Sequence, residues 1–130
     1  MKQDGEERDI YFHRETLVES LEDRDMDMIT VSSTTAMLSE KEPKFNKLLF
    51  PKKTQPRPYK FDPIQKQYVM ITARVHPGET PGSHVFNGLL KFILDKNDIR
   101  SRLLRDNFVF VLIPMLNPDG VYRGHYRLDT

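Results

Sequence analysis

Apolar positions cluster unevenly along the chain. Two runs are almost continuously apolar, Tyr68-Val69-Met70-Ile71-Thr72-Ala73 and Phe108-Val109-Phe110-Val111-Leu112-Ile113. Their length and β-branched content predict strands buried on both faces, the second stopped by Pro114. Between them Val85, Phe86, Leu89, Leu90 and Ile93 recur at helical spacing, which predicts an amphipathic helix. Thr80 is placed to N-cap that helix with Pro81 at its first position. Asp98 is placed to cap a second, shorter helix with Leu103 and Leu104 facing inward. Strand, helix, strand, with both strands nearly all apolar, predicts a βαβ crossover in a parallel or mixed sheet.

The pattern upstream is weaker. Thr16, Leu17, Val18 and Leu21 lie among Glu15, Glu19 and Glu22, which predicts a short amphipathic helix over residues 13–23. Met28, Ile29 and Val31 predict a strand. Residues 1–9 carry four acids and no apolar run. They read as a disordered acidic tail and lack the form of a signal peptide. Five of the nine prolines fall between residues 39 and 67, and residues 41–60 hold seven bases against one acid. That stretch reads as a basic, proline-rich loop with an apolar anchor at Phe45, Leu48, Leu49 and Phe50. It is either a solvated connector or a basic docking site.

Composition bounds the rest. One domain accounts for 130 residues, 38% of them apolar, with a mean hydropathy of −0.59. No apolar run approaches the roughly 20 residues of a membrane-spanning helix. Absence of cysteine excludes disulfides and thiolate metal sites and suits a cytosolic or nuclear setting. The net charge of +1 hides a split: ten acids and four bases in residues 1–27, nine acids and sixteen bases in 28–130. The basic remainder favours an acidic substrate or partner without naming one.

Parallel strands end on the same edge of a sheet, where ligands of open α/β folds bind. His76-Pro77-Gly78-Glu79 follows the first apolar strand and Asn117-Pro118-Asp119-Gly120 the second. Both are turns by composition. An imidazole and a carboxylate on one turn can face a single cation, and zinc accepts both. The competing reading has His76 at the strand end and Glu79 favouring the helix dipole. A catalytic zinc usually has three protein ligands. Of the other histidines, His13 and His84 suit structural or surface roles, and His125 could approach the site. Asp119 is a poor general base, because a turn aspartate usually bonds nearby backbone. Arg123 or Arg127 could polarise a carbonyl or hold a carboxylate, or be solvated.

His76-Pro77-Gly78-Glu79-Thr80-Pro81, Pro114 to Val121 and Arg123-Gly124-His125-Tyr126-Arg127 resemble the cytosolic carboxypeptidase family of zinc metallocarboxypeptidases. Tyr11 to Glu15 and Arg74-Val75-His76 are similar to the same family. The resemblance implies an α/β fold, a partial zinc-carboxypeptidase domain with a mixed, partly parallel central sheet and a βαβ crossover. It implies that residues 10–130 are the N-terminal half of the catalytic domain. It implies one zinc ion per complete domain, with His76 and Glu79 as two ligands and Arg127 polarising the scissile carbonyl. Attack by a zinc-activated water would remove C-terminal or branch-point glutamates from polyglutamylated tubulin or other glutamylated proteins. Neither nucleic acid nor a membrane is an expected partner. The expected location is cytoplasmic, with the nucleus and microtubules as further sites. In the family the third zinc ligand, the general base and the residues gripping the substrate carboxylate come later than Thr130. The chain alone is therefore expected to be inactive. The other reading makes it a truncated product or an interaction module using the basic 41–60 stretch.

Overall fold

The computed structural model describes residues 10–44 and 46–127. The acidic tail expected at 1–9 and Phe45 of the apolar anchor lie outside these. A mixed sheet is built from β1 (Ile10–Glu19), β2 (Asp25–Ser33), β5 (Gln67–Thr72) and β6 (Phe108–Ile113) in the order β1-β2-β6-β5. A second, two-stranded sheet pairs β3 (Met37–Lys41) with β4 (Tyr59–Phe61). Helices α1 (Thr80–Ile93) and α2 (Ile99–Asn107) form the crossover between β5 and β6, and α3 (Pro118–Arg123) follows β6. β5 and β6 pair in parallel from Gln67↔Phe108 to Thr72↔Ile113, while β1–β2 and β2–β6 are antiparallel. The α/β class, the mixed sheet and the βαβ crossover thus stand as expected.

Alternation on β2 and β6 sorts side chains between two layers. Ile29, Val31, Phe110 and Leu112 pack with Phe86 and Ile93 of α1 on one face. Met28, Val111 and Ile113 pack with Leu49 and Phe50 on the other. Leu49 and Phe50 thus anchor the proline-rich segment on this face, while residues 46–48 and 53–56 are exposed. Tyr11 of β1 meets Phe61 of β4 edge-on at 5.6 Å, which extends that layer. Leu48, named as part of the anchor, instead faces solvent.

Three expectations need correction. Residues 13–19, expected to be helical, belong to strand β1. A bulge between Thr16 and Val18 interrupts the regular register, so the alternation that marks a strand is broken at Leu17. The extra residue turns backbone outward: Leu17 O accepts from Phe50 N at 2.7 Å, and Thr16 N donates to Gln55 at 2.9 Å. Second, β5 is covered on one face only. Val69 and Ile71 pack toward α1, whereas Met70 is 66% exposed, and β5 ends the described sheet order. Third, Thr80 does not cap α1. It is the first helical residue and Glu79 takes the N-cap position without a side-chain cap bond, because its carboxylate turns to His76.

Asp98 caps α2 as expected, accepting from Arg100 N at 2.8 Å. Leu104 joins the core while Leu103 is exposed. The Arg100 guanidinium and backbone N–H hold the Asp98 carboxyl down to about 2 from 3.8. A depressed carboxyl stabilises the fold fully above its unfolded value, and the effect is lost as pH falls through the folded value. Asp98→Ala is thus expected to lower the melting temperature at neutral pH. The difference from the parent should shrink as pH falls from about 4 toward about 2 in a series of thermal melts.

Buried Lys66 has a structural job. Its ammonium donates to Ser32 Oγ at 2.9 Å, Ser33 O at 2.9 Å and Arg105 O at 3.1 Å. It thereby ties β2 to the last turn of α2, where a cation suits the helix dipole. No helix of the described residues is long and apolar enough to cross a membrane.

Candidate metal centre

The parallel pairing of β5 and β6 places their two C-terminal exits side by side, and hydrogen bonds continue beyond the strands. Ala73 N donates to Ile113 O at 3.0 Å, Leu116 N to Ala73 O at 2.9 Å and Asn117 N to Arg74 O at 3.1 Å. The two polar segments singled out in the sequence therefore converge. The second differs in form from the expected turn. Asn117 caps helix α3, its side chain accepting from Gly120 N at 2.8 Å, with Pro118 in the first turn and left-handed Gly124 at the end. Asn-Pro-Asp-Gly is the start of a short helix here, and the glycine that suggested a turn serves close packing instead. Buried Gly120 lies against the Pro77 ring, where a Cβ would collide with it.

Gly78 permits the other contact. Its N–H donates to Tyr126 O at 2.9 Å. A Cβ there would come within 2.8 Å of that oxygen and 3.0 Å of Tyr126 Cα. The segment after α3 thus rests on the turn that carries His76 and Glu79. Exposed Arg127 follows Tyr126 directly.

Within the turn, His76 Nδ1 and Glu79 Oε1 are 3.0 Å apart, with side chains 27% and 56% exposed. An imidazole nitrogen and a carboxylate oxygen this close, on one partly open turn, are a donor pair suited to zinc. Among the described residues no three His, Asp or Glu side chains gather as a metal site. His125 therefore does not complete a set with these two. His84 is exposed on α1, and His13 lies on β1, where burial pushes its imidazole pKa down. A cleft of about 380 Å³ beside the turn is lined by Arg74, Glu79, Val85, Phe86 and Leu116 among others.

Sequence reasoning missed the residue that closes the turn. Arg74 has a left-handed backbone with φ of 59°, an outlier for a bulky side chain. Its guanidinium donates through Nε and Nη2 to Pro77 O at 3.0 and 2.6 Å and through Nη1 to Ser83 Oγ at 2.9 Å. The carbonyl between His76 and Glu79 is thereby fixed to the first turn of α1. No spacing rule signals such a clamp.

Two other candidates have different work. Asp119 accepts from Ser20 Oγ at 2.6 Å, Arg24 Nη1 at 2.8 Å and Glu22 N at 3.2 Å. The Ser20 hydroxyl, with Arg24 and the Glu22 N–H, holds its carboxyl below the usual range. Asp119 anchors the β1–β2 turn to α3 and is not placed as a base. Arg123 pairs with Glu22 of the same turn.

The sequence matches the zinc carboxypeptidase family over residues 5–130. The chain belongs to that family. It is 54% identical to cytosolic carboxypeptidase-like protein 5 of Danio rerio and 50% identical to the Homo sapiens protein of that name. Each match covers 93% of this chain and 13% of the relative. Among solved structures, a Shewanella denitrificans protein described as a carboxypeptidase A superposes with a TM-score of 0.65 at 30% identity. That match covers 91% of this chain and 24% of the other. The chain thus spans a small part of the length of its relatives.

Proposed function

We propose that this chain contributes one side of a zinc carboxypeptidase active site. Its proposed ligands are His76 and Glu79, with Arg127 polarising the scissile carbonyl. The observation that carries the reading is the imidazole–carboxylate pair at 3.0 Å, on a turn at the C-terminal edge of parallel strands. Zinc, when bound, supplies Lewis acidity at neutral pH. The residues of this chain hold and orient: Arg74 fixes the turn, Gly78 lets the Tyr126 segment approach, and Arg127 follows that contact. The third ligand and the general base belong, on this proposal, to other parts of the whole enzyme, so the chain alone is inactive. The substrate class is glutamates at chain ends or branch points of polyglutamylated tubulin or other glutamylated proteins, acting in the cytoplasm, with nuclear and microtubule-associated pools. The cytoplasmic setting is supported by the relatives' names.

Zinc titration of the 130-residue chain, followed by NMR, tests the metal assignment. The His76 and Glu79 signals are expected to shift together and saturably. His76→Ala or Glu79→Ala should weaken binding by about tenfold or more, the loss expected for one of few ligands. Shifts centred on His84 or His13, or zinc binding by either variant as tight as the parent's, would overturn it.

A further inference from the structure

We propose that Lys44, Lys47 and Lys53, with the apolar floor between them, form a docking site for an acidic peptide segment, on the sheet face opposite α1 and independent of the metal centre. The seven bases of residues 41–60 sort into two groups. Four are engaged: Arg57 with Glu15, Lys52 with Glu19 and Asp25, Lys60 with Glu40, and Lys41 over the Tyr59 ring. Among the described residues Lys44, Lys47 and Lys53 have no ion-pair partner, and these three line a single concavity of about 510 Å³. Among the described residues its remaining lining is Asn46, Leu49, Phe50 and Pro51, without a carboxylate.

The loop beneath is fixed rather than slack. Phe50 is held left-handed at φ 57°, its N–H on Leu17 O and its ring under the Arg57 guanidinium at 3.3 Å. Asn46 accepts from Leu48 N at 2.8 Å. Three ammonium groups around an apolar floor match a peptide with closely spaced carboxylates, whose methylenes rest on Leu49 and Pro51. Single-stranded nucleic acid fits less well. Binding of that kind relies on open aromatic faces, and among the described lining residues the one aromatic ring, Phe50, has a face covered by Arg57.

The test is fluorescence anisotropy of labelled hexaglutamate with the full 130-residue chain, alongside hexaglutamine and oligothymidine. Saturable binding to hexaglutamate is expected, weakening several-fold as salt rises from about 50 to about 300 mM. Lys47→Gln with Lys53→Gln should weaken it by about fivefold or more, whereas the charge-matched pair Lys91→Gln and Lys96→Gln should change it by less than about twofold. Lys44→Gln alone should give a smaller loss in the same direction. His76→Ala should leave binding unchanged, which separates this proposal from the metal assignment. Equal weakening by both double variants would reduce the effect to net charge and overturn the proposal. So would tighter binding of oligothymidine, or no saturable binding of hexaglutamate.

Discussion

Replacing Arg57 by alanine is expected to destabilise the chain by about 3–5 kcal/mol, because it strands a buried charge. Glu15 is 2% exposed and its Oε1 meets Arg57 Nη1 at 2.5 Å. Without the guanidinium, the buried carboxylate loses the ion-pair partner it has among the described residues. The substitution also uncovers Phe50, whose left-handed backbone depends on its surroundings. Chemical denaturation followed by circular dichroism measures the loss. Glu15→Leu combined with Arg57→Met should recover most of it, since an apolar pair of similar volume carries no desolvation penalty. A loss below about 1 kcal/mol for Arg57→Ala would mean that Glu15 is solvated when alone, as surface pairs are.

Gly78→Ala is expected to destabilise by about 1–3 kcal/mol, the range for overfilling a packed contact. The new methyl would lie 2.5 Å from Tyr126 Cδ2 and 2.8 Å from Tyr126 O. The ring is 73% exposed and can swing away. The carbonyl cannot move without taking the backbone with it, and it is the acceptor for Gly78 N. The loss should therefore be local: amide exchange should speed at Gly78 and Tyr126 more than in β6. Gly88→Ala is the control. Nothing lies within 4 Å of its Cβ position in α1, so alanine there should stabilise by about 0.5–1 kcal/mol. Equal effects of the two substitutions would dismiss the close approach.

Much of this arrangement was legible in the residues. The apolar runs of β5 and β6 and the helical spacing of α1 carried the crossover, and the crossover located the edge that joins the His76 turn to Asn117. Where the pattern misled, a local physical cause is visible. β1 breaks its own alternation at the bulge near Leu17. The glycine of Asn-Pro-Asp-Gly serves packing against Pro77, and its asparagine caps a helix. Met70 belongs to an apolar run, yet no described segment covers it. Gly78 and Asp119 act through contacts with residues distant in sequence, and Arg74 through a carbonyl three residues on and a hydroxyl nine residues on. Composition cannot show which carbonyl or hydroxyl such a residue will meet. The sorting of lysines into paired and unpaired sets was illegible for the same reason.

The parallel pairing of β5 and β6 also sets an order in time. β1 and β2 adjoin through a short turn, so they can associate as soon as both exist. β5 finds its partner only after the whole crossover has been made, and closing that loop is entropically opposed until the strands reward it. During synthesis from the N terminus, the His76–Glu79 turn emerges before β6, before the helix that seats Pro77, and before the carbonyl that receives Gly78. Arg74 can thus clamp the turn early, while the supports from α3 and Tyr126 arrive only after it.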